Sequence, residues 1–218
     1  MYIYICEFCN FSSHIIDLPT ILRLEILNGN TVDEQQSVDF LCEVNGYPVP
    51  DISWILSSTN TVLKKDEHVF KSKYLIPKAN CLHTGSYRCQ GINVIDGEFV
   101  NAFSEIDLFV LCSARIDQRY SEELEDIAVM ESGDLNIRVF ILAYPEPIII
   151  WTMRHSDTGQ DYTVNYTNSF NSVEHISTVN ITEVSTKDYG VYTITAFNKI
   201  GPPYVKSFTV KPLGKYVK

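Results

Sequence analysis

The chain is poor in positive charge. Its 218 residues include 17 Lys and Arg against 27 Asp and Glu, for a net charge of −10. Proteins that bind nucleic acid neutralise its phosphates with clustered Lys and Arg, so we expect no nucleic-acid partner. No stretch approaches the roughly eighteen consecutive apolar residues that would suggest a membrane-spanning helix. We therefore expect membrane attachment only through a segment outside this sequence.

Motifs for catalysis and cofactor binding are missing as well. The sequence has no Gly-x-Ser-x-Gly elbow, no phosphate-cradling Gly loop and no His-Glu-x-x-His. Its five His and scattered carboxylates offer no recognisable pairing of a nucleophile with a base. We expect a protein that is not an enzyme and that has no cofactor, no metal site and no small-molecule substrate.

The N-terminal stretch MYIYICEFCN is a poor signal peptide, because it lacks a basic start and Glu7 and Asn10 interrupt its apolar run. Cys6 and Cys9 form a Cys-x2-Cys, yet no second Cys/His pair has the spacing that would complete a zinc site. We interpret these two cysteines as remnants of an upstream segment, or as partners of something absent. Residues 1–19 are predicted to lie outside any domain, and the chain to be a piece of a longer protein.

An internal repeat organises the rest of the chain. NGYPVPDISW ends at Trp54 and LAYPEPIIIW ends at Trp151, a separation (151 − 54) of 97 residues. That distance is about the size of one small domain, so the sequence predicts two domains. Short alternating runs bounded by Gly, Pro, Asn and Asp, without a long helical period, predict an all-β fold.

The first copy carries a cysteine, a tryptophan twelve residues later, and a Tyr-x-Cys. With these residues the chain resembles the immunoglobulin superfamily, specifically its I-set branch. The positions that carry the likeness are Cys42, Gly46, Pro48, Pro50, Trp54, Gly85, Tyr87 and Cys89. The resemblance implies two β-sandwiches in tandem, at 20–112 and 113–218. It also implies an inter-sheet disulfide, Cys42–Cys89, packed on Trp54, and a tyrosine corner at Tyr87.

The second copy repeats the frame without the cysteines. Asp188, Gly190 and Tyr192 form the Asp-x-Gly-x-Tyr, while Val139 and Ile194 occupy the two cysteine positions. Both of these residues are β-branched and apolar, so we expect packing alone to fill this core around Trp151.

Two further features of the first domain follow from the resemblance. Cys81 in the E–F turn and Cys112 at the end of the last strand lie at the same end of such a sandwich, which makes a second disulfide reasonable. His83 stands where the family has an acid before Gly-x-Tyr. Its alternative interpretations are a surface substitution and a pH sensor.

Three Asn-x-Ser/Thr sequons, at Asn10, Asn165 and Asn180, are candidate glycosylation sites. Together with the Cys42–Cys89 pair they favour an extracellular or cell-surface protein. The competing interpretation is intracellular, because cysteine-free I-set domains resemble those of muscle proteins.

Strand alternation sorts the second domain's residues by face. The outer face of strands C, F and G is unusually uncharged, and its candidate protein-binding residues are Ile148, Ile150, Thr193, Thr195, Phe197 and Val205. On the opposite sheet, Asn180 is predicted to face outward beside Phe140 and Leu142. In an alternative interpretation, the long segment 154–172 folds over the C–F–G face as an extra edge strand.

The equivalent face of the first domain is predicted to be mainly polar, with Asp51, Ser53, Ile55, Arg88, Gln90, Glu105 and Asp107. Its B–C turn and its F–G hairpin at Asp96–Gly97 are a second candidate for recognition.

These patterns predict non-enzymatic protein–protein recognition, homophilic or heterophilic, as in cell adhesion or in ligand binding by a receptor ectodomain or secreted factor. The alternative function is a structural spacer within a longer multi-domain chain, possibly of the intracellular muscle type.

Overall fold

The computed structural model describes residues 16–120 and 125–214. These residues form two compact units. The first comprises 16–28, Asp39–Leu75 and Ser86–Ile106, and the second comprises Gly29–Val38, Ile76–Gly85, 107–120 and 125–214. The fold is all-β, as the sequence predicts. Among the described residues, none lies in a helix long and apolar enough to cross a bilayer.

Residues 16–116 form eight strands. They are β1 (Asp17–Ile26), β2 (Thr31–Asp33), β3 (Val38–Tyr47), β4 (Asp51–Leu56), β5 (Thr61–Asp66), β6 (Lys71–Ile76), β7 (Gly85–Ile95) and β8 (Glu98–Ile116). One sheet has the order β1-β3-β6, and the facing sheet has β8-β7-β4-β5. A short 3₁₀ turn, Cys81–His83, precedes β7. β1 starts ahead of the predicted domain start at residue 20, and β8 continues past residue 112.

The described residues from 125 to 214 form eight further strands. They are β9 (Asp126–Val129), β10 (Leu135–Tyr144), β11 (Ile148–His155), β12 (Asp161–Thr163), β13 (Thr167–Asn171), β14 (Glu174–Ile181), β15 (Gly190–Phe197) and β16 (Tyr204–Pro212). One sheet has the order β13-β14-β10 followed by the end of β8, and the other has β12-β11-β15-β16-β9. A 3₁₀ turn, Thr186–Asp188, precedes β15.

The two Tyr-Pro-x-Pro repeats connect β3 to β4 and β10 to β11. Each begins with a cis peptide bond, at Tyr47-Pro48 and at Tyr144-Pro145. Proline fits here because the ladder has ended and no backbone N–H is needed for pairing. The segments lead into β4 and β11, whose tryptophans enter the two cores.

The first core is built around Trp54, which is fully buried. Its indole Nε1 donates to Ser72 Oγ at 2.9 Å. Phe40 packs on the indole edge-to-face, with ring centroids 5.7 Å apart. Cys42 and Cys89 are joined by a disulfide beside it, and Cys89 lies directly opposite Trp54 in the β4–β7 ladder.

The second core repeats this arrangement without sulfur. Trp151 is 1% exposed, and its Nε1 donates to Ser177 Oγ at 2.9 Å. Ile194 lies directly opposite Trp151 in the β11–β15 ladder, and Val139 is buried in the same cluster. Aliphatic side chains thus occupy the place that the disulfide holds in the first core.

Candidate protein-recognition face

The six candidate residues of the second domain lie on three neighbouring strands, β11, β15 and β16. Ile148 pairs with Phe197, and Ile150 pairs with Thr195, which in turn pairs with Val205. Directly opposed residues of an antiparallel pair have Cβ atoms roughly 5 Å apart, so these side chains form continuous rows. The structure therefore brings together the six residues that strand alternation placed on one face. We call these six residues the three-strand face.

The apolar members of the three-strand face differ in exposure. Ile148 is 59% exposed, Ile150 is 43% and Val205 is 58%. Thr193 and Thr195 are half-buried, as is Phe197. Phe197 thus contributes less open surface than its place on the strand suggests, whereas the three aliphatic side chains remain available for contact.

Hydroxyl groups form the next row of the sheet. Thr152 pairs with Thr193, and Thr193 Oγ1 lies 2.9 Å from Ser207 Oγ. Charge lies at the margins of this face, where exposed Arg154 ends the β11 row and exposed Lys211, paired with Asp126, ends the β16 row. With no ionisable group in its centre, the face can bind by apolar burial and hydroxyl contacts rather than by ion pairing.

The long segment 154–172 leaves this face uncovered. β12 pairs only with the far end of β11, at Thr152 to Arg154, and β13 joins the opposite sheet through β14. Tyr166 Oη donates to the backbone carbonyl of Ile149 at 2.6 Å, so this tyrosine lies at the edge of β11. The segment therefore does supply a short edge strand, but Ile148 and Ile150 remain exposed beside it.

Two of the candidate glycosylation sites line one cleft of the second domain. Asn165 and Asn180 both border a cavity of about 750 Å³, together with Tyr162 and Lys187. Both asparagines are exposed. Asn10, like Cys6 and Cys9, lies outside the described residues.

The second unit contains a buried disulfide. Cys81 and Cys112 form a disulfide, and both are at most 1% exposed. Leu142 and Val173 pack against it. The expectation that Leu142 faces solvent is therefore wrong: the residue points out of its sheet as alternation requires, but the disulfide and Val173 cover it, leaving 8% exposed.

His83 stands where the second domain has Asp188, and like that aspartate it accepts a backbone hydrogen bond at the start of a 3₁₀ turn. Its Nδ1 accepts from the backbone N–H of Asn80 at 2.9 Å, just as Asp188 Oδ2 accepts from that of Ser185 at 2.9 Å. Both contacts close the first turn of a 3₁₀ segment. Burial lowers the pKa of His83, which keeps the imidazole neutral and able to accept.

The tyrosine of each Gly-x-Tyr is buried. Tyr192 Oη donates to the carbonyl of Asp188 at 2.8 Å, and burial, aided by the Asp188 carboxylate, raises the pKa of Tyr192 to about 12. Burial likewise raises the pKa of Tyr87. Neither phenol ionises near neutral pH, so both act as packing and anchoring groups.

The outer face of the first domain departs from the prediction of a mainly polar surface. Ser53 and Ile55 are 6% and 5% exposed, because their ladder neighbours include Lys65 and Arg88, whose long side chains lie over the sheet. Arg88 bonds Glu105 at 2.8 Å and lies 4.8 Å from the Phe103 ring centroid. The Arg88 hydrogen bond lowers the pKa of Glu105.

Two exposed phenylalanines on this face were missed by the sequence reasoning. Phe99 is 78% exposed and Phe103 is 58% exposed, both on β8. Alternation along EFVNAFSEID would have placed them outward with Glu105 once the strand was known to start immediately after the Asp96–Gly97 turn.

Comparison with known proteins identifies the family. The model of the immunoglobulin domain matches residues 19–93, and that of the immunoglobulin I-set domain matches residues 118–209. The chain belongs to the immunoglobulin superfamily. The paired matches agree with the tandem organisation that the two Tyr-Pro-x-Pro repeats predicted.

The chain is similar to several curated proteins. It is 29% identical to the Peroxidasin homolog of Mus musculus over 177 residues, which is 79% of this chain and 11% of that protein. It is 24% identical to Neural cell adhesion molecule 1 of Gallus gallus over 196 residues, 84% of this chain and 16% of that one. Protein amalgam of Drosophila melanogaster is 23% identical over 195 residues, covering 85% and 54%. The chain thus spans a small part of the first two relatives and about half of the third.

Solved structures with the same architecture include chains of tandem immunoglobulin domains. A chain from the crystal structure of Dpr2 Ig1-Ig2 in complex with DIP-Theta Ig1-Ig3 has a TM-score of 0.66 and 18% identity, covering 91% of this chain and 66% of that one. A titin Ig tandem has a TM-score of 0.66 and 19% identity, covering 92% and 99%. At these identities the likeness establishes the fold alone.

Proposed function

We propose that this chain is a non-enzymatic recognition module whose three-strand face binds another protein at the cell surface or outside the cell. The observation that carries the proposal is the continuous uncharged patch on β11, β15 and β16, with Ile148, Ile150 and Val205 each at least 43% exposed. Exposed apolar surface of this kind marks contact sites in soluble proteins. Relatives such as Neural cell adhesion molecule 1, an adhesion protein by name, support the same class of function.

The placement of the sequons supports the choice of face. Asn180 lies on β14, a strand of the opposite sheet, whereas Asn165 lies in the connection between β12 and β13. A glycan at Asn180 would cover that side of the domain and leave the three-strand face open. Glycosylation at Asn10, Asn165 and Asn180 belongs to the same proposal, because it requires passage through the secretory pathway.

The test is the substitution Ile150→Glu in the full chain. A carboxylate in the centre of the patch would have to lose its hydration on binding, so we expect at least a hundredfold loss of affinity, about 2.7 kcal/mol. The measurement is saturable binding of the fluorescently labelled chain to cells, together with sedimentation velocity for self-association. The matched control is Phe170→Glu, since Phe170 is 66% exposed on β13 of the other sheet.

Binding that survives Ile150→Glu but falls with Phe170→Glu would contradict the proposed face. Absence of saturable binding by the unmodified chain would favour the second candidate, a structural spacer in a longer chain. That candidate draws support from the 23% identity over 173 residues to the Muscle M-line assembly protein unc-89 of Caenorhabditis elegans. It predicts that neither substitution changes any association.

A further inference from the structure

Strand β8 has an open edge in the first unit. One side of the strand pairs with β7, and its other side pairs with β2 only from Phe109 to Leu111. Among the described residues, no strand pairs with the outer edge of β8 between Glu98 and Leu108. Alternate residues of this stretch therefore direct their backbone N–H and C=O groups to an unpaired edge, which is a template for another strand.

The centre of this edge lacks the residues that usually protect one. Proteins place charged side chains, especially Lys, or Pro on edge strands, or keep those strands short, to prevent pairing with another chain. β5 and β6 each carry two Lys, β1 contains Pro19, and β12 has three residues. The segment EFVNAFSEID of β8 has neither Lys nor Pro, and its acidic residues Glu98, Glu105 and Asp107 leave the stretch from Phe99 to Ser104 uncharged.

A groove runs along the open edge. It has a volume of about 520 Å³ and lies between β1, at Pro19 to Leu24, and β8, at Ala102 to Ser104. Leu22 on its rim is 67% exposed. An added strand would direct alternate side chains into this groove and the others onto the outer face of the sheet.

The sequence of β8 itself fits that requirement. Between Phe99 and Ser104 its half-buried positions are Val100, Ala102 and Ser104, all small enough to enter a narrow groove. Its outward positions include Phe99 and Phe103, the two exposed rings of this face. A second copy of the same strand would therefore offer small side chains to the groove and aromatic side chains to the outer face.

We propose that β8 pairs antiparallel with β8 of a second copy, with the twofold axis at Asn101. In this register Phe99 of each copy lies opposite Phe103 of the other, Asn101 lies opposite itself, and Glu98 lies opposite Ser104. Aromatic cross-strand pairs are stabilising, whereas directly opposed like charges are not. The register satisfies both conditions, and a twofold axis makes the contact self-complementary and closed.

Charge modulates the association without occupying its centre. Glu105 is already paired with Arg88 at 2.8 Å, so its carboxylate is neutralised within its own copy. The net charge of −10 makes two copies repel at long range. Added salt screens that repulsion, so we expect the dimer to strengthen as salt rises.

The experiment uses the full chain with Cys6→Ser and Cys9→Ser and adds one cysteine on β8. Asn101→Cys places two thiols across the axis at a Cα separation of about 4.5 to 5.5 Å, within disulfide range. We expect it to form a covalent dimer on mild oxidation. Asp107→Cys is the matched control, because its symmetry mate would lie roughly 40 Å away.

Sedimentation velocity provides the second readout. We expect the unmodified chain to dimerise with rising concentration and Phe103→Lys to remain monomeric while still unfolding in a cooperative thermal transition. A chain that stays monomeric throughout, as expected if the edge receives a strand of a different protein, overturns the proposal. Equal cross-linking at Asn101 and Asp107 overturns it too. Dimers lost with Ile150→Glu but kept with Phe103→Lys would assign self-association to the three-strand face instead.

Discussion

The two sandwiches place the same tryptophan in the same position by different means. In each, the indole donates to a serine on the facing sheet at 2.9 Å. Around Trp54 a disulfide joins the sheets, whereas around Trp151 Val139 and Ile194 pack in its place. The comparison separates two contributions, since the packing geometry is shared and the covalent constraint is not.

The two domains also differ in what their outer faces expose. The second domain presents aliphatic and hydroxyl side chains on β11, β15 and β16, with charges only at the margins. The first presents Arg88 and Glu105 as an ion pair, with Phe103 beside it. One scaffold therefore offers an uncharged face in one copy and a mixed face next to an open strand edge in the other.

Removing the first disulfide should have the largest effect on this comparison. Cys42 and Cys89 are 47 residues apart, and a loop of that length contributes about 4 kcal/mol in the chain-entropy model. We expect Cys42→Ala with Cys89→Ala to lower the unfolding free energy of the first domain by about that amount, measured by urea denaturation followed through tryptophan fluorescence.

The reciprocal change sharpens the result. Val139→Cys with Ile194→Cys should form a disulfide at the equivalent place and stabilise the second domain when oxidised. A first domain that loses well under 1 kcal/mol without its sulfur bridge would mean that packing alone sustains both cores.

A smaller effect distinguishes the two 3₁₀ caps. His83 accepts through a neutral nitrogen, and its folded-state pKa lies below the usual value of about 6.5. Its contribution is therefore present above about pH 6.5 and is lost as the pH falls below that value. We expect acidification from about pH 7.5 to about 5.5 to remove roughly 1 kcal/mol, the usual worth of a cap.

The variant His83→Asp gives this turn the residue type that the second domain has at Asp188. It should remove the loss of stability that acidification causes through His83. Buried His175, whose pKa is also lowered by burial, contributes a step of the same sign in the same unit. The measurement is therefore the difference in melting temperature between the unmodified chain and His83→Asp at the two pH values. An identical pH dependence in both would contradict the role given to His83.

Most of the fold could be predicted from the sequence because the residues that indicate it are close together in the chain and occur twice. Cys42, Trp54 and Tyr87 in one copy, and Trp151 and Tyr192 in the other, have spacings that only a two-sheet core explains. Alternation likewise placed Ile148, Ile150 and Val205 on one exposed face, since a strand of period two leaves no other choice once its tryptophan is buried.

Positions whose burial depends on distant partners were not predictable in this way. Leu142 has an outward register, but Cys81, Cys112 and Val173 cover it from other parts of the chain. Ser53 is buried beneath the long side chains of its strand neighbours. The open edge of β8 depends on where β2 stops pairing with it, and no pattern within the β8 sequence predicts that point.

The most direct test of the shared core follows the two indole N–H groups by NMR in the chain that carries Cys42→Ala and Cys89→Ala. Both groups are buried and bonded to serine in the unmodified chain, so both should exchange slowly with solvent. In the variant, exchange at Trp54 should accelerate by roughly three orders of magnitude, the equivalent of about 4 kcal/mol, while Trp151 keeps its protection. Loss of protection at Trp151, or equal protection of both indoles, would contradict the claim that the first core depends on its disulfide and the second on aliphatic packing alone.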